Sequence, residues 1–349
     1  MSIYFFLQHL LFAVAIFGVS AFVTWQLIRH LKFLDVPNDR SSHVKATPRG
    51  GGVAIVSGFL IGIFLIQWIG DKTPIYTRYF LGFAIASFVI AALSFYDDFK
   101  HCSFKVKLAG QIIAIFVAML SGIVIDVTYL PWLGEVHWGW WAYPLTFLWI
   151  VGLTNAYNFI DGLDGIAAST AVIAAGFLSL IAFQHDSTFI YLAAMTLSAA
   201  SLGFLIFNLP PAKIFMGDVG STFLGLVFAV MAIIAARYDH SHTSLFVMPL
   251  LLFHFIFDTA FTFVRRLLRG ENVFQAHRTH LYQLLNRFGY SHGKVTMLYS
   301  AMAISQGLAA VWMASNLGNN RPLMYVPFLV MHLVYAGWVI GRAKKRGII

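Results

Sequence analysis

Apolar stretches of about 20 residues, long enough to cross a bilayer as helices, recur along this 349-residue chain with only short polar breaks between them. They fall near residues 9–31, 50–70, 79–96, 108–129, 142–160, 165–184, 189–208, 220–237, 245–265, 296–315 and 322–341. The chain therefore reads as an all-α polytopic integral membrane protein of about 11 transmembrane helices, a single domain over residues 1–349. Composition agrees. Asp, Glu, Lys and Arg make up 11% of the residues, against roughly 25% in a soluble protein. Mean hydropathy is +0.77. These values exclude a soluble enzyme, a disordered chain and, despite a net charge of +9, a nucleic-acid-binding domain. The one cysteine, Cys102, excludes an intramolecular disulfide framework and a thiolate metal cluster.

The longest break, about 266–295, is too short to hold a core of its own. Any chemistry must then sit in loops and helix ends at the bilayer surface, about 32–49, 97–107, 161–164, 209–219 and 266–295. The first apolar run has no basic flank before it and no small-residue cleavage site, so it reads as a retained helix rather than a signal peptide. Lys and Arg set the orientation. Odd-numbered loops and the C-terminal tail hold 19 of them, and even-numbered loops hold only Lys72, Arg78, Arg237 and Arg321. The bias puts the N-terminus in the periplasm and the C-terminus in the cytoplasm.

Acids have little influence on topology, so their placement carries other information. Nine of the 14 fall on or near the cytoplasmic face: Asp35, Asp39, Asp97, Asp98, Asp161, Asp164, Asp218, Asp258 and Glu271. A carboxylate at the end of an apolar helix costs a few kcal/mol unless it has a partner or water. Acids and bases on one face point to a divalent metal and phosphates, with interhelical ion pairs as the plainer alternative.

Asp97 and Asp98 end a span in ALSFYDDFK. Adjacent like charges repel, and two hard oxygen ligands side by side suit Mg²⁺, or one acts as base while the other binds metal. Lys100, Lys105 and Lys107 follow within ten residues and offer ammonium groups to phosphate. In NAYNFIDGLDG, Asn155, Asn158, Asp161 and Asp164 recur every third residue. Neighbours in that series share a helix face, but the drift reaches 180° over the nine residues. Asn155 and Asp164 can share a site only if the backbone breaks, which Gly162 and Gly165 permit.

Asp218, between Gly217 and Gly220 in FMGDVGS, is either a metal ligand or a helix N-cap. His277, Arg278 and His280 make a poor zinc signature without Cys or paired carboxylates and suit an anion such as a diphosphate instead. Asp258, one turn after His254, reads as half of a His–Asp pair that holds a helix in place. In LDVPNDRSSHVKATPRGGGVAI, Lys45 and Arg49 are candidate substrate cations. The three glycines after Arg49 either admit a phosphate or allow a close helix contact.

With these residues in view, the sequence resembles the polyprenyl-phosphate N-acetylhexosamine-1-phosphate transferases over about Asp35 to Arg287. TPRGGG, DD, KVKLAGQ, NAYNFIDGLDG and FMGDVGS stand in the family's order. The resemblance implies catalytic and lipid-phosphate roles for Asp97 and Asp98, with Lys107 near the phosphates. It implies a metal on Asp218, and Asn158, Asp161 and Asp164 lining the nucleotide-sugar and metal site. Asn208 falls in the nucleoside pocket, and His277, Arg278 and His280 in the family's histidine-rich loop. Lys100 and Asn155 join the substrate-binding set.

That loop departs from the family. The triple-histidine run of the muramoyl-pentapeptide enzymes is absent, as is the HxHH form, and AHRTHLYQ resembles the O-antigen branch that acts on N-acetylfucosamine-type sugars. The resemblance thus implies transfer of a HexNAc-1-phosphate from a UDP-HexNAc (GlcNAc, FucNAc or a related sugar) to undecaprenyl phosphate, releasing UMP. It further implies Mg²⁺ as cofactor with Mn²⁺ as substitute, the bacterial inner membrane as location and the cytoplasm as the side of the active site. A homodimer stays open. The competing class is a secondary transporter or lipid flippase, whose charges would sit near the bilayer midplane.

Overall fold

The computed structural model describes residues 3–31, 33–35, 46–69, 75–100, 103–130, 133–239, 241–273, 275, 277–316 and 322–349. Lys45 lies outside them. About 76% of the protein is helical. The first half runs α1 (Ile3–His30), β1 (Leu34–Asp35), β2 (Thr47–Pro48), α2 (Gly52–Ile69), α3 (Thr77–Lys100), α4 (Phe104–Leu120), β3 (Val127–Leu130), β4 (Gly134–His137) and α5 (Ala142–Ile160). The second half runs α6 (Ile166–Gln184), α7 (Phe189–Asn208), α8 (Asp218–Arg237), α9 (Val247–Leu251), α10 (Phe253–Leu268), α11 (Leu281–Arg287), α12 (His292–Asn316) and α13 (Tyr325–Lys345). The strands form two small antiparallel pairs, β1 with β2 and β3 with β4, so the fold is all-α apart from two short ribbons.

The helices pack around α8. It is apolar on every face, the pattern of a helix surrounded by protein, and its span is 94% buried. α2, α3 and α5 pack directly on it. The spans of α1 and α13, at 17% buried, lie at the periphery with their apolar faces outward. Such a surface, turned outward on helices of this length, is made for lipid. This is a multi-pass membrane protein.

Seven helices among the described residues are long and apolar enough to cross a membrane, fewer than the 11 expected. α4 and α10 have only 17 and 16 residues, and the apolar part of α2 is similarly short, Gly52–Trp68. The run expected at 108–129 stops as a helix at Leu120, and Gly122 (φ 92°) turns the chain toward the β3–β4 ribbon. The run expected at 245–265 is broken at Leu252 into α9 and α10. The ribbon is held to the end of α8 by Arg237, whose Nε and Nη2 donate to Asp126 at 2.7 and 2.9 Å.

The glycines of TPRGGG resolve the choice left open by the sequence. The N–H groups of Gly50, Gly51 and Gly52 donate to the carbonyls of Phe215 and Met216 at 2.8–3.2 Å, so none is left for a phosphate. A methyl group at Gly52 would overlap the Gly220 backbone. The glycines serve close contact between α2 and α8. Gly220→Val is expected to destabilise the protein by about 1–3 kcal/mol through overpacking, read as a lower thermal unfolding midpoint in detergent.

Candidate active site

The site forms where helix ends meet. Asp97 and Asp98 lie in the last turn of α3, Lys107 in the first turn of α4, Asn158 in the last turn of α5, and Asp218 opens α8. Arg49 is brought alongside by a parallel bridge between Arg49 and Phe215, closed by Phe215 N–H donating to Pro48 O at 2.8 Å. The acids are therefore on helix ends and not in the loops themselves.

Asp218 is the hub. Its Oδ1 accepts from Arg49 Nη2 at 2.9 Å and from Asn158 Nδ2 at 3.3 Å, and its Oδ2 accepts from Lys107 Nζ at 2.7 Å. Arg49 Nη2 also lies 2.9 Å from Asp98 Oδ1, and Lys107 Nζ lies 2.6 Å from Asp97 Oδ2. Each cation thus bridges two carboxylates. Asn158 Nδ2 donates to Ser221 Oγ at 2.8 Å as well. Asp218 is not the N-cap of α8. Asp98 does that work, with its two oxygens accepting the N–H groups of Asp218 and Val219 at 3.0 and 2.9 Å. An anion is stabilised there by free N–H groups and the helix dipole. The N-cap position itself is Gly217, at φ 76° and packed against Asp98.

The electrostatics favour a further cation. Three carboxylates face two cations, and Asp161 adds a fourth acid close by. Asp161 caps α5 just outside its last turn, and its side chain has no hydrogen bond or ion pair among the described residues. Burial raises its pKa to about 7, with Asp218 adding to the effect. Burial opposes the charge on Arg49, but the Asp218 and Asp98 carboxylates outweigh it and hold the guanidinium pKa above its ordinary value. Among the described residues no three His, Cys, Asp or Glu side chains form a closed metal cage. Asp218, Asp161 and the amide oxygen of Asn158 nonetheless fit Mg²⁺, a hard ion that takes one or two carboxylates and keeps its remaining places for water and phosphate.

Other residues singled out from the sequence lie outside this cluster, though Asn155 lines the cavity that opens beside it. The break after Ile160 does not bring Asn155 and Asp164 together. Asn155 pairs with Gln111, its Nδ2 donating to Oε1 at 2.9 Å, whereas Asp164 lies 3.1 Å from His292 Nδ1 and accepts Ala212 N–H at 3.1 Å. Asn208 is buried, accepting Gly165 N–H at 3.0 Å and donating to Ile214 O at 2.8 Å, so its amide holds backbone together. Lys100 is exposed and outside the cluster. Gln111, Ser221 and His292 were missed. Gln111 had a signal, standing one turn after Lys107 in KVKLAGQ and so on the same helix face.

A cavity of about 960 Å³ opens beside the cluster between α3, α4, α5 and α10. Asp97, Lys107, Asn158 and Asp218 line one part of it, and His277, His280 and Arg266 another. Much of the wall between is apolar, including Leu93, Leu148 and Phe263. His277 and His280 are stacked, with ring centroids 4.9 Å apart. Burial, then His280, Arg266 and Arg265, lower the His277 pKa to about 4, so this ring is neutral near pH 7. Arg278 is partly buried, and its carbonyl accepts from Arg287 Nη1 at 3.4 Å.

The model of glycosyl transferase family 4 matches residues 80–236, the stretch that carries Asp97, Asp98, Lys107, Asn158, Asp161 and Asp218. A probable undecaprenyl-phosphate N-acetylglucosaminyl 1-phosphate transferase of Bacillus subtilis (strain 168) is 34% identical over 290 residues, covering 80% of this chain and 79% of its own. The chain belongs to the polyprenyl-phosphate N-acetylhexosamine-1-phosphate transferase superfamily. It is 32% identical over 312 residues (82% of this chain, 76% of the relative) to a decaprenyl-phosphate N-acetylglucosaminephosphotransferase of Mycobacterium leprae (strain TN). A phospho-N-acetylmuramoyl-pentapeptide-transferase of Halalkalibacterium halodurans is 27% identical over 305 residues (82% and 90%). As a member of this transferase superfamily, the protein is an enzyme.

In this transferase Arg49→Met leaves Asp98 and Asp218 without their shared cation. The expected loss is about 2–3 kcal/mol, below the 3–5 kcal/mol for a fully buried pair because Arg49 is partly exposed. Lys100→Met is expected to stay within about 0.5 kcal/mol. Thermal unfolding of both variants in detergent checks the contrast.

Proposed function

We propose that the protein transfers N-acetylhexosamine-1-phosphate from a UDP-linked sugar to undecaprenyl phosphate, giving undecaprenyl-diphospho-HexNAc and UMP. The observation that carries this reading is the joining of a carboxylate–cation cluster to a largely apolar cavity between helices. A substrate with a charged phosphate on a long hydrocarbon matches both halves. GlcNAc leads among the sugars because the Bacillus and Mycobacterium relatives are named for it. FucNAc-type sugars remain in the reading because of the AHRTHLYQ loop, and O-antigen or another surface polysaccharide is the destination. The active face is cytoplasmic, as the Lys and Arg bias implies, and the membrane is the bacterial inner one, as the family resemblance implies. Nothing in the site favours a transporter, whose charges would lie along a midplane path.

In this mechanism a phosphate oxygen of the lipid attacks the β-phosphorus in line. A bond forms between them, and the bond from that phosphorus to the bridging oxygen breaks, so the oxygen and its electron pair leave with UMP. The second pKa of a phosphate monoester is near 6, so the nucleophile is already ionised and a base adds little. Asp97 and Asp98 act by positioning, holding Lys107 and Arg49 beside the path. Those two cations, with Arg278, offset phosphate charge. Asp218, with Asp161 and Asn158, would hold Mg²⁺, which supplies charge neutralisation on the diphosphate.

UMP release that requires both undecaprenyl phosphate and a UDP-sugar tests the reading, with UDP-GlcNAc, UDP-FucNAc and UDP-QuiNAc as donors. Release from UDP-sugar alone, or none with any donor, would falsify it. Asp97→Asn and Asp98→Asn are each expected to lose most of the turnover; two near-native variants would remove these residues from the site.

Protons compete with the metal at Asp161. With its pKa near 7, the carboxylate form grows as pH rises, so affinity for Mn²⁺ as a probe should climb about tenfold from pH 6 to pH 8. Asp161→Asn should flatten that slope, measured by Mn²⁺ electron paramagnetic resonance. An unchanged slope would take Asp161 out of the metal set.

A further inference from the structure

The sequence pairs Asp258 with His254, and the structure does not. His254 Nδ1 lies 2.7 Å from Gln306 Oε1, in a separate buried group. Asp258, 1% exposed within α10, is instead the most heavily bonded acid in the protein among the described residues. Its Oδ1 accepts from Leu281 N–H at 2.9 Å and from Thr262 Oγ1 at 3.2 Å, and lies 3.2 Å from His280 Nδ1. Its Oδ2 accepts from Tyr299 OH at 2.7 Å and from Tyr282 N–H at 3.2 Å. The donors come from α10, α11, α12 and the histidine loop.

Five donors on two oxygens more than fill the roughly four lone-pair sites of a carboxylate, so no place remains for a proton on Asp258. His280 Nδ1 must therefore carry the hydrogen in that bond. This fixes the tautomer and ring orientation of His280, as a carboxylate does for a metal-bound or catalytic histidine. Nε2 is the ring's remaining polar atom. The His280 side chain also faces the backbone N–H of Gln283 in a capping box at the start of α11, and His280 lines the cavity.

The same network fixes where the ring stands relative to the carboxylate cluster. Tyr282, whose N–H is on Asp258, sends its hydroxyl to Phe159 O at 3.0 Å. Phe159 follows Asn158, the residue that reaches Asp218. A methyl group at Gly162 would strike the Tyr282 hydroxyl, so this docking needs the glycine of the DG pair. Asp258 thus ties the first turn of α11 to the end of α5, and so fixes the position of His280 relative to the carboxylate cluster across the cavity.

We propose that Asp258 is a positioning residue for the donor substrate, holding His280 so that Nε2, the accepting nitrogen of that tautomer, meets a hydroxyl or N–H group of the UDP-sugar in the cavity. The proposal rests on the transferase reading for the identity of that ligand. A residue that only stabilises the fold would change the amount of active protein, whereas this one should change affinity for one substrate and act through His280.

The experiment uses the full chain in nanodiscs, with Asp258→Asn, His280→Gln and the double variant. UDP-GlcNAc binding is measured by calorimetry, and KM and kcat are measured for both substrates. Each single variant should weaken UDP-GlcNAc binding about 10–100-fold, the usual loss when such a supporting partner is removed. The double variant should be no worse than the poorer single, and KM for undecaprenyl phosphate should not move. Tyr299→Phe, which removes one donor and strands no charge, should weaken the same affinity a few-fold. Where Asp258→Asn does not fold, the cycle is run on Tyr299→Phe and His280→Gln with the same criterion. Losses that multiply, KM values that move together, or unchanged affinity in folded variants overturn the proposal while the transferase reading stands. A wild-type protein that binds no UDP-sugar overturns both.

Discussion

Two cations shared among three carboxylates at the start of one buried helix set the terms for the rest of this protein. α8 has lipid-like composition and is enclosed by protein, so its first turn is where the centre of the bundle carries charge. Asp218 there cannot remain as a lone buried anion, because an unpaired charge in such a setting costs several kcal/mol. Arg49 and Lys107 meet that demand, and each must also face a second acid, Asp98 or Asp97. One ionic contact thereby draws together the segment before α2, the end of α3 and the starts of α4 and α8. The glycines of TPRGGG and FMGDVGS follow from the same demand, since α2 must approach α8 closely for Arg49 to arrive.

The network is over-supplied with negative charge, and that separates it from a purely structural set of ion pairs. A structural cluster reaches its best energy near neutrality. This one leaves Asp161 without a bond among the described residues and under electrostatic pressure from Asp218. Such an imbalance persists in a membrane protein when it serves binding of a cation or of a cation–phosphate complex.

The membrane class, the clustering of acids on one face and the identity of the central residues are legible in the periodicity, charge bias and motif order of the chain. Asp97, Asp98, Lys107, Asn158 and Asp218 could be named because each stands at the end of an apolar run, where a charge needs a reason. What stayed hidden depends on contacts between residues far apart in the chain. NAYNFIDGLDG could gather its four polar residues only through a backbone break, yet only Asn158 bonds to Asp218, and Asn155 and Asp164 face separate partners contributed by α4 and α12. The spacing of Asp258 from His254 suggested a local pair, but the preferred partner is His280, 22 residues on. The run at 245–265 was read as one unbroken helix for a related reason. Hydropathy does not register the break at Leu252, where the chain remains apolar while the helix is interrupted.

That break has a use. α10 carries Asp258, Arg265 and Arg266 along one short helix, and each holds part of the chain between α10 and α12. Arg266 donates to Glu271 Oε2 and to the carbonyls of Asn272 and Gln275, Arg265 donates to the carbonyl of Thr279, and Asp258 takes the first turn of α11. A loop with no core of its own is given shape by a helix that forgoes lipid compatibility to do so. The cost falls on α10, the most polar of the central helices. The return is a histidine loop standing at a defined place on the cavity, opposite a carboxylate cluster built from four other helices. Both halves of the site are thus held by helix ends, which lets a protein with so few charges keep them where a phosphate-bearing lipid and a water-soluble donor have to meet.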